Sequence, residues 1–318
     1  MKIVILDGYS VHAEDLDWDL LQALGDVTVY DRSKPEELAE RMRGAEAVLT
    51  NKCRITREVM DACPDLRYIG ELATGFNNID IAAAKEKGIV VTNVPGYSTV
   101  SVVQHVFALL LSVMSRVDEL NASVHAGDWV SCPDFTYQLT PLQELYGRTL
   151  GIIGFGQIGQ KVAQAAQAFG MKVVYNCPHR KEALESDQVR YLPLEELLAQ
   201  SDVVTLHCPQ NDVTSALMNA DRLALMKRGA ILINTARGGV VDSMAVADAL
   251  RDGQLSWYLA DVMTVEPPKA DEPLLNAPHC VLTPHVAWAP REARLRLQAI
   301  AAENLKGYQA GNAPHRVA

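Results

Sequence analysis

The stretch LGIIGFGQIG, Leu150 to Gly159, carries an apolar run into glycines at positions 154, 156 and 159. LGII reads as a buried strand, and QIGQKVAQAAQAFG after it reads as a helix. In that strand–turn–helix setting each glycine has a physical task. The first makes the tight turn, the second lets the backbone approach a diphosphate, and the third lets helix pack on strand. The helix start then offers its unpaired amides to phosphate. Almost half of the chain precedes this fingerprint, so the nucleotide-binding unit is expected in the second half.

Working outward, short β-branched runs alternate with helical stretches along the whole chain. Ahead of the fingerprint stand KIVIL (2–6), VTVY (27–30), AVLT (47–50), LRYIGEL (66–72) and IVVTNV (89–94), with helical stretches at Pro35 to Arg43 and Ile81 to Lys87. Behind it stand KVVYN (172–176), DVVTLHC (202–208), AILINTA (230–236), WYLADV (257–262) and CVLTPH (280–285), six second-half strands counting LGII. Such alternation predicts α/β architecture with two doubly wound parallel sheets. Val100 to Val117 is a long apolar helix with little polar face, expected between the domains. A further helical stretch, Pro290 to Tyr308, follows the last strand and is expected to return to the first domain. The predicted organisation is therefore 1–99 with 287–318 as one discontinuous domain, and 100–286 as the inserted nucleotide domain.

Composition narrows the function classes. The chain has 318 residues, 48% of them apolar, and a formal charge of −10. Acidic balance disfavours nucleic acid as a partner. The longest apolar run, Val106 to Val113, is far short of the ~20 residues that span a bilayer, so no membrane association is expected. The start reads as a strand rather than a signal peptide, and six scattered cysteines without a CxxC pair fit reduced thiols and a cytoplasmic location. Eight histidines show no metal-ligand spacing, and no metal is expected.

Three ionisable residues stand at or just after strand ends: Arg237 after AILINTA, Glu266 after YLADV, and His285 closing CVLTPH. Ligands of a doubly wound sheet bind at the carboxyl ends of its strands, so the three can converge. A guanidinium orients a carboxylate and polarises a carbonyl, an imidazole supplies a proton near neutral pH, and a carboxylate beside it fixes the ring. At the ribose position, eighteen residues after Gly159, the acid that selects NAD is replaced by Cys177. His179 and Arg180 follow and could meet a 2′-phosphate, so the coenzyme is expected to be NAD or NADP, with NADPH accepted.

The segments GIIGFGQIG, INTARGGVVD, ADVMTVEPP and LTPHVAW, with ELATGFNNID (71–80) ahead of them, resemble the D-isomer-specific 2-hydroxyacid dehydrogenases over essentially the whole chain. The resemblance implies a Rossmann coenzyme domain inserted into a flavodoxin-like substrate domain. It implies an NAD(P)-dependent oxidoreductase with Arg237 binding substrate, His285 as acid/base and Glu266 as its partner. The coenzyme would be lined by Thr74, Gln157, Ile158, His207, Cys208, Pro209, Thr214, Thr235, Ala236, Arg237, Asp261 and His285. Backbone groups of Leu72, Ala73 and Thr74, with Gly75, would hold the substrate carboxylate, facing the nicotinamide across a closing cleft. Ala73 stands where the family's loop glycine is usual, and Cys177 where its ribose acid is usual.

Trp129 to Gly151 resembles the glycerate dehydrogenase or hydroxypyruvate reductase branch, and Trp288 would roof the site over a small 2-oxo acid. Hydroxypyruvate or glyoxylate, reduced to D-glycerate or glycolate, is thus the expected substrate. Phosphoglycerate dehydrogenase is the alternative, disfavoured because no regulatory domain follows Ala318 and no Arg/Lys cluster lies near the loop. A nucleotide-gated corepressor of the C-terminal-binding-protein type shares the triad and is the alternative from another class. A homodimer is expected through Val100 to Val117, where Leu109, Leu110 and Leu111 stand in a row.

Overall fold

The computed structural model describes residues 1–318. The chain divides into two compact units, Met1–Ser98 with Trp288–Ala318, and Thr99–Ala287. The first holds β1 (Lys2–Ile5), β2 (Asp26–Val29), β3 (Ala47–Thr50), β4 (Tyr68–Glu71) and β5 (Val90–Thr92). They form one parallel sheet in the order β2-β1-β3-β4-β5, the flavodoxin-like arrangement. Every residue of β3 and β4 is buried, because helices cover both faces. One cover is helix Arg291–Gln309, whose Ala293, Leu297, Ala301 and Leu305 recur every fourth residue as a buried stripe. Its buried Arg294 donates to Val11 O (3.0 Å) and pairs with Asp15, and Asn304 Nδ2 donates to Asn93 O (2.9 Å). These bonds supply partners for polar groups that would otherwise be costly to bury.

The second unit holds seven parallel strands: β6 (Thr149–Ile153), β7 (Lys172–Asn176), β8 (Val189–Tyr191), β9 (Val203–Leu206), β10 (Ala230–Asn234), β11 (Leu255–Ala260) and β12 (Cys280–Leu282). Their order is β12-β11-β10-β9-β6-β7-β8, so the direction of winding reverses between β6 and β9. Six strands were expected here. The seventh, β8, is a three-residue edge strand with an exposed Arg190 at its centre, too short and too polar to show a period.

The long apolar helix also differs from expectation. It runs Thr99–Ser115, stops at Arg116 in the left-handed region (φ 48°), and restarts as Val117–His125 at an angle of 51°. Leu109 and Leu110 are buried in the core of this unit, where the helix packs on helix Gln157–Ala168. Val100 and Val117 are exposed, and a denser run of exposed apolar side chains lies further on, at Trp129, Val130, Phe135, Leu139, Leu142 and Tyr146. No single helix is long and apolar enough to cross a membrane.

Candidate active site

The fingerprint turn lies at the reversal point of the second sheet. A Cβ on Gly154 (φ 97°) would fall 2.4 Å from the His207 carbonyl carbon and 2.5 Å from Cys208 N, so only glycine lets these two strand ends meet. A Cβ on Gly159 would fall 2.3 Å from Gly154 O, whereas above Gly156 nothing lies within 4 Å. Helix Gln157–Ala168 has no side-chain cap, and its first internal bond is Gln160 N to Gly156 O. The amides of Gln157, Ile158 and Gly159 are therefore left as donors over open space, a cradle for a diphosphate. At the end of β10, Thr235 Oγ1 is buried with no partner in the protein. A buried hydroxyl without a partner is costly and points to a ligand group. Pro209 O accepts from Thr214 Oγ1, which closes the loop after β9. The half-buried His207, bonded to Thr205 Oγ1 at 3.0 Å, is pushed by desolvation down to about 3 and stays uncharged. These groups fit a dinucleotide.

At the ribose end the thiol of Cys177 is turned inward, donating to His179 O (3.0 Å). Arg180, expected as a free cation, is instead gripped by Glu185: Nε to Oε1 at 2.7 Å and Nη2 to Oε2 at 2.9 Å. His179 is exposed beside it.

Glu266 and His285, nineteen residues apart in the chain, meet: His285 Nδ1 lies 2.7 Å from Glu266 Oε2. The carboxylate is itself anchored through Oε1, which accepts from Met263 N (3.0 Å). His285 does not close its strand. β12 ends at Leu282, and His285 sits in the loop beyond with φ 54°. The buried Asp261 holds that loop, accepting from Thr283 Oγ1 (2.6 Å), Val286 N (2.9 Å) and Ala287 N (2.8 Å), while His105 Nε2 bonds Thr283 Oγ1 (2.9 Å). Asp261 was expected at the coenzyme; its carboxylate here positions the imidazole loop.

Arg237 lies in the turn after β10. Asn234, fully buried, fastens that turn by donating to Arg237 O (2.9 Å) and accepting from Ala236 N (3.0 Å). A Cβ on the next residue, Gly238, would fall 1.9 Å from Met263 C. The Arg237 turn is thus pressed directly against the segment that bonds Glu266.

In the first unit the loop after β4 shows which backbone groups remain open. Leu72 N is committed to Thr50 O (2.7 Å), so the expectation that Leu72 offers its amide is corrected: strand pairing continues one residue past β4. The carbonyls accept from Asn51 Nδ2 at Leu72, Val94 N at Ala73 and Asn93 Nδ2 at Thr74. The amides of Ala73, Thr74 and Gly75 have no partner in the protein. Thr74 Oγ1 is tied to Val94 O (2.9 Å). Trp288, expected over the substrate, is half-buried and packs edge-on against Tyr97 with centroids 6.5 Å apart.

Beneath this loop lies a carboxyl that no periodicity marked. Glu71 is buried, accepts from Asn78 Nδ2 (3.0 Å), and is pushed up to about 9, mainly by burial and then by nearby Asp7 against the opposing Lys52 and Asn78. Folded, Glu71 keeps its proton to about 9; unfolded, it loses it near the ordinary value of 4.5. Between those limits the unfolded chain binds fewer protons, so Glu71 lowers stability as pH rises, by at most ~1.4 kcal/mol per pH unit. Urea unfolding at pH 5, 7 and 9 is expected to show a flatter decline for Glu71→Gln than for the wild type. Parallel declines would mean that Glu71 is ionised in the folded chain.

The D-isomer specific 2-hydroxyacid dehydrogenase, NAD binding domain, profile matches residues 107–287. The chain belongs to this family of oxidoreductases. It is 46% identical to a hydroxypyruvate reductase of Blautia hydrogenotrophica over 315 residues, 98% of both chains. It is 39% identical to a glyoxylate reductase of Aeropyrum pernix, covering 93% of this chain and 90% of that one. Among solved structures, an acyclic imino acid reductase in complex with NADPH and D-Arg superposes with a TM-score of 0.86 at 30% identity, covering 100% of both chains.

Proposed function

We propose that the chain reduces a small 2-oxo acid, hydroxypyruvate or glyoxylate, to the D-2-hydroxy acid with NADH or NADPH. The observation that carries this reading is the His285–Glu266 pair at 2.7 Å beside the clamped Arg237 turn. The bound dinucleotide supplies the hydride. Glu266 accepts from His285 Nδ1, which leaves Nε2 to carry the proton that the carbonyl oxygen takes up. Arg237 holds the substrate carboxylate through its planar fork and polarises the carbonyl. The open amides of Ala73, Thr74 and Gly75 are donors suited to a carboxylate.

The glycine turn, the amides of Gln157 and Ile158, the Thr235 hydroxyl and the segment from His207 to Thr214 are proposed to hold the dinucleotide. With Cys177 in place of an acid, NADPH is accepted beside NADH. Names of relatives support the substrates, hydroxypyruvate for one and glyoxylate for the other.

The exposed apolar side chains from Trp129 to Tyr146 support a homodimer formed through that segment rather than through Leu109 to Leu111. Six free thiols suit a reducing, cytoplasmic setting. The test is loss of reduced-nicotinamide absorbance on adding hydroxypyruvate, glyoxylate, pyruvate or phenylpyruvate. Turnover is expected with the first two. No turnover on any of the four would favour a nucleotide-gated binding protein.

A further inference from the structure

The segment after β7 combines a missing charge with a bound one. In a doubly wound nucleotide domain the end of the second strand meets the adenosine ribose, where a carboxylate holds the 2′-hydroxyl and repels a 2′-phosphate. Here Gly154 N donates to Asn176 O (2.8 Å), so Cys177 stands directly beside the glycine turn. Its thiol is buried and donates to His179 O, and it contributes neither grip nor repulsion. The charges come from the residues that follow: Arg180 and Lys181 against Glu182, Glu185 and Asp187.

Among these, one pair has a fixed geometry. Glu185 takes two N–H groups of Arg180, at 2.7 and 2.9 Å, in the two-pronged arrangement that is strongest for this pair of groups. Glu185 Oε1 also accepts from Tyr175 Oη (3.1 Å), and that hydroxyl in turn accepts from Lys181 N (2.9 Å). The Tyr175 ring stacks on Phe155 of the glycine turn, with centroids 4.0 Å apart. The carboxylate is thus tied through one side chain to the turn that receives the dinucleotide. The guanidinium beside it holds Glu185 below the ordinary carboxylate range, so the pair stays ionised and neutral overall at working pH.

We infer that Glu185 sets the coenzyme choice: by holding Arg180 in a neutral pair it withholds the cation that a 2′-phosphate needs, so NADH is favoured over NADPH. This rests on the reading of the chain as a nicotinamide-dependent enzyme. Conversion of Glu185 to an amide keeps the shape and the Tyr175 bond while freeing the guanidinium.

The test is direct binding of NADH and of NADPH to the purified full chain, followed by nicotinamide fluorescence. The wild type is expected to bind NADH more tightly. Glu185→Gln is expected to lower the Kd for NADPH about tenfold, the scale of one charge-assisted contact, and to leave NADH within about twofold. Retained NADH affinity reports that the variant is folded. Adding Arg180→Gln to Glu185→Gln is expected to reverse the gain. A wild type that prefers NADPH, an unchanged ratio, or weaker NADPH binding in Glu185→Gln would overturn the inference, the last by showing that Glu185 prepares Arg180 for phosphate. A wild type that binds neither nucleotide would overturn the coenzyme reading itself.

Discussion

His285→Ala is expected to lower kcat for 2-oxo acid reduction by about 10²–10⁴-fold, the range that a positioned general acid contributes. The imidazole owes its place to two independent devices. Glu266 takes Nδ1 at 2.7 Å, and the buried Asp261 fastens the loop through Thr283, Val286 and Ala287. Removing the ring loses the Glu266 bond but leaves the Asp261 bonds that hold the loop, so the affinity for reduced coenzyme is expected to stay near that of the wild type. Steady-state kinetics on hydroxypyruvate with a parallel coenzyme titration separate the two. Near-normal kcat in His285→Ala would refute the assignment of the proton donor.

Arg237→Ala is expected to lower kcat/KM by about 10²–10³-fold, through both a higher KM and a lower kcat, because one group is asked both to bind the carboxylate and to polarise the carbonyl. Arg237→Lys is expected to recover only a small part, since an ammonium cannot present two parallel donors to a carboxylate. The turn itself should survive either change. Asn234 bonds the backbone of residue 237, and Gly238 supplies the contact with Met263. A variant that loses coenzyme binding while keeping its KM for the oxo acid would move Arg237 to the other ligand.

The parts of the fold that were legible in the sequence are those where one residue type is required by local geometry. Gly154 and Gly159 are forced by backbone contacts shorter than any side chain allows, and the buried strands read as continuous apolar runs because both faces are covered. His285 and Glu266 could be paired on paper because both follow adjacent strands, β12 and β11. β8 could not be read, since an edge strand of three residues with a central arginine carries no pattern. The break at Arg116 was hidden because a left-handed residue other than glycine leaves no mark in composition. Glu185 was missed, and Asp261 was named for the coenzyme and not for the loop it holds, for a third reason. Each acts through a partner distant from it or in an irregular loop, where spacing carries no information about contact. Glu71, last residue of an otherwise apolar strand, carried a signal in its charge: a buried carboxyl in a central strand has to be explained.

The most direct measurement is a crystal structure of the chain with NADH and an unreactive 2-oxo acid analogue. The analogue's carboxylate is expected within hydrogen-bond reach of the Arg237 guanidinium, with its carbonyl oxygen about 2.6–3.2 Å from His285 Nε2. An analogue bound beside the nicotinamide with neither side chain touching it would contradict the account.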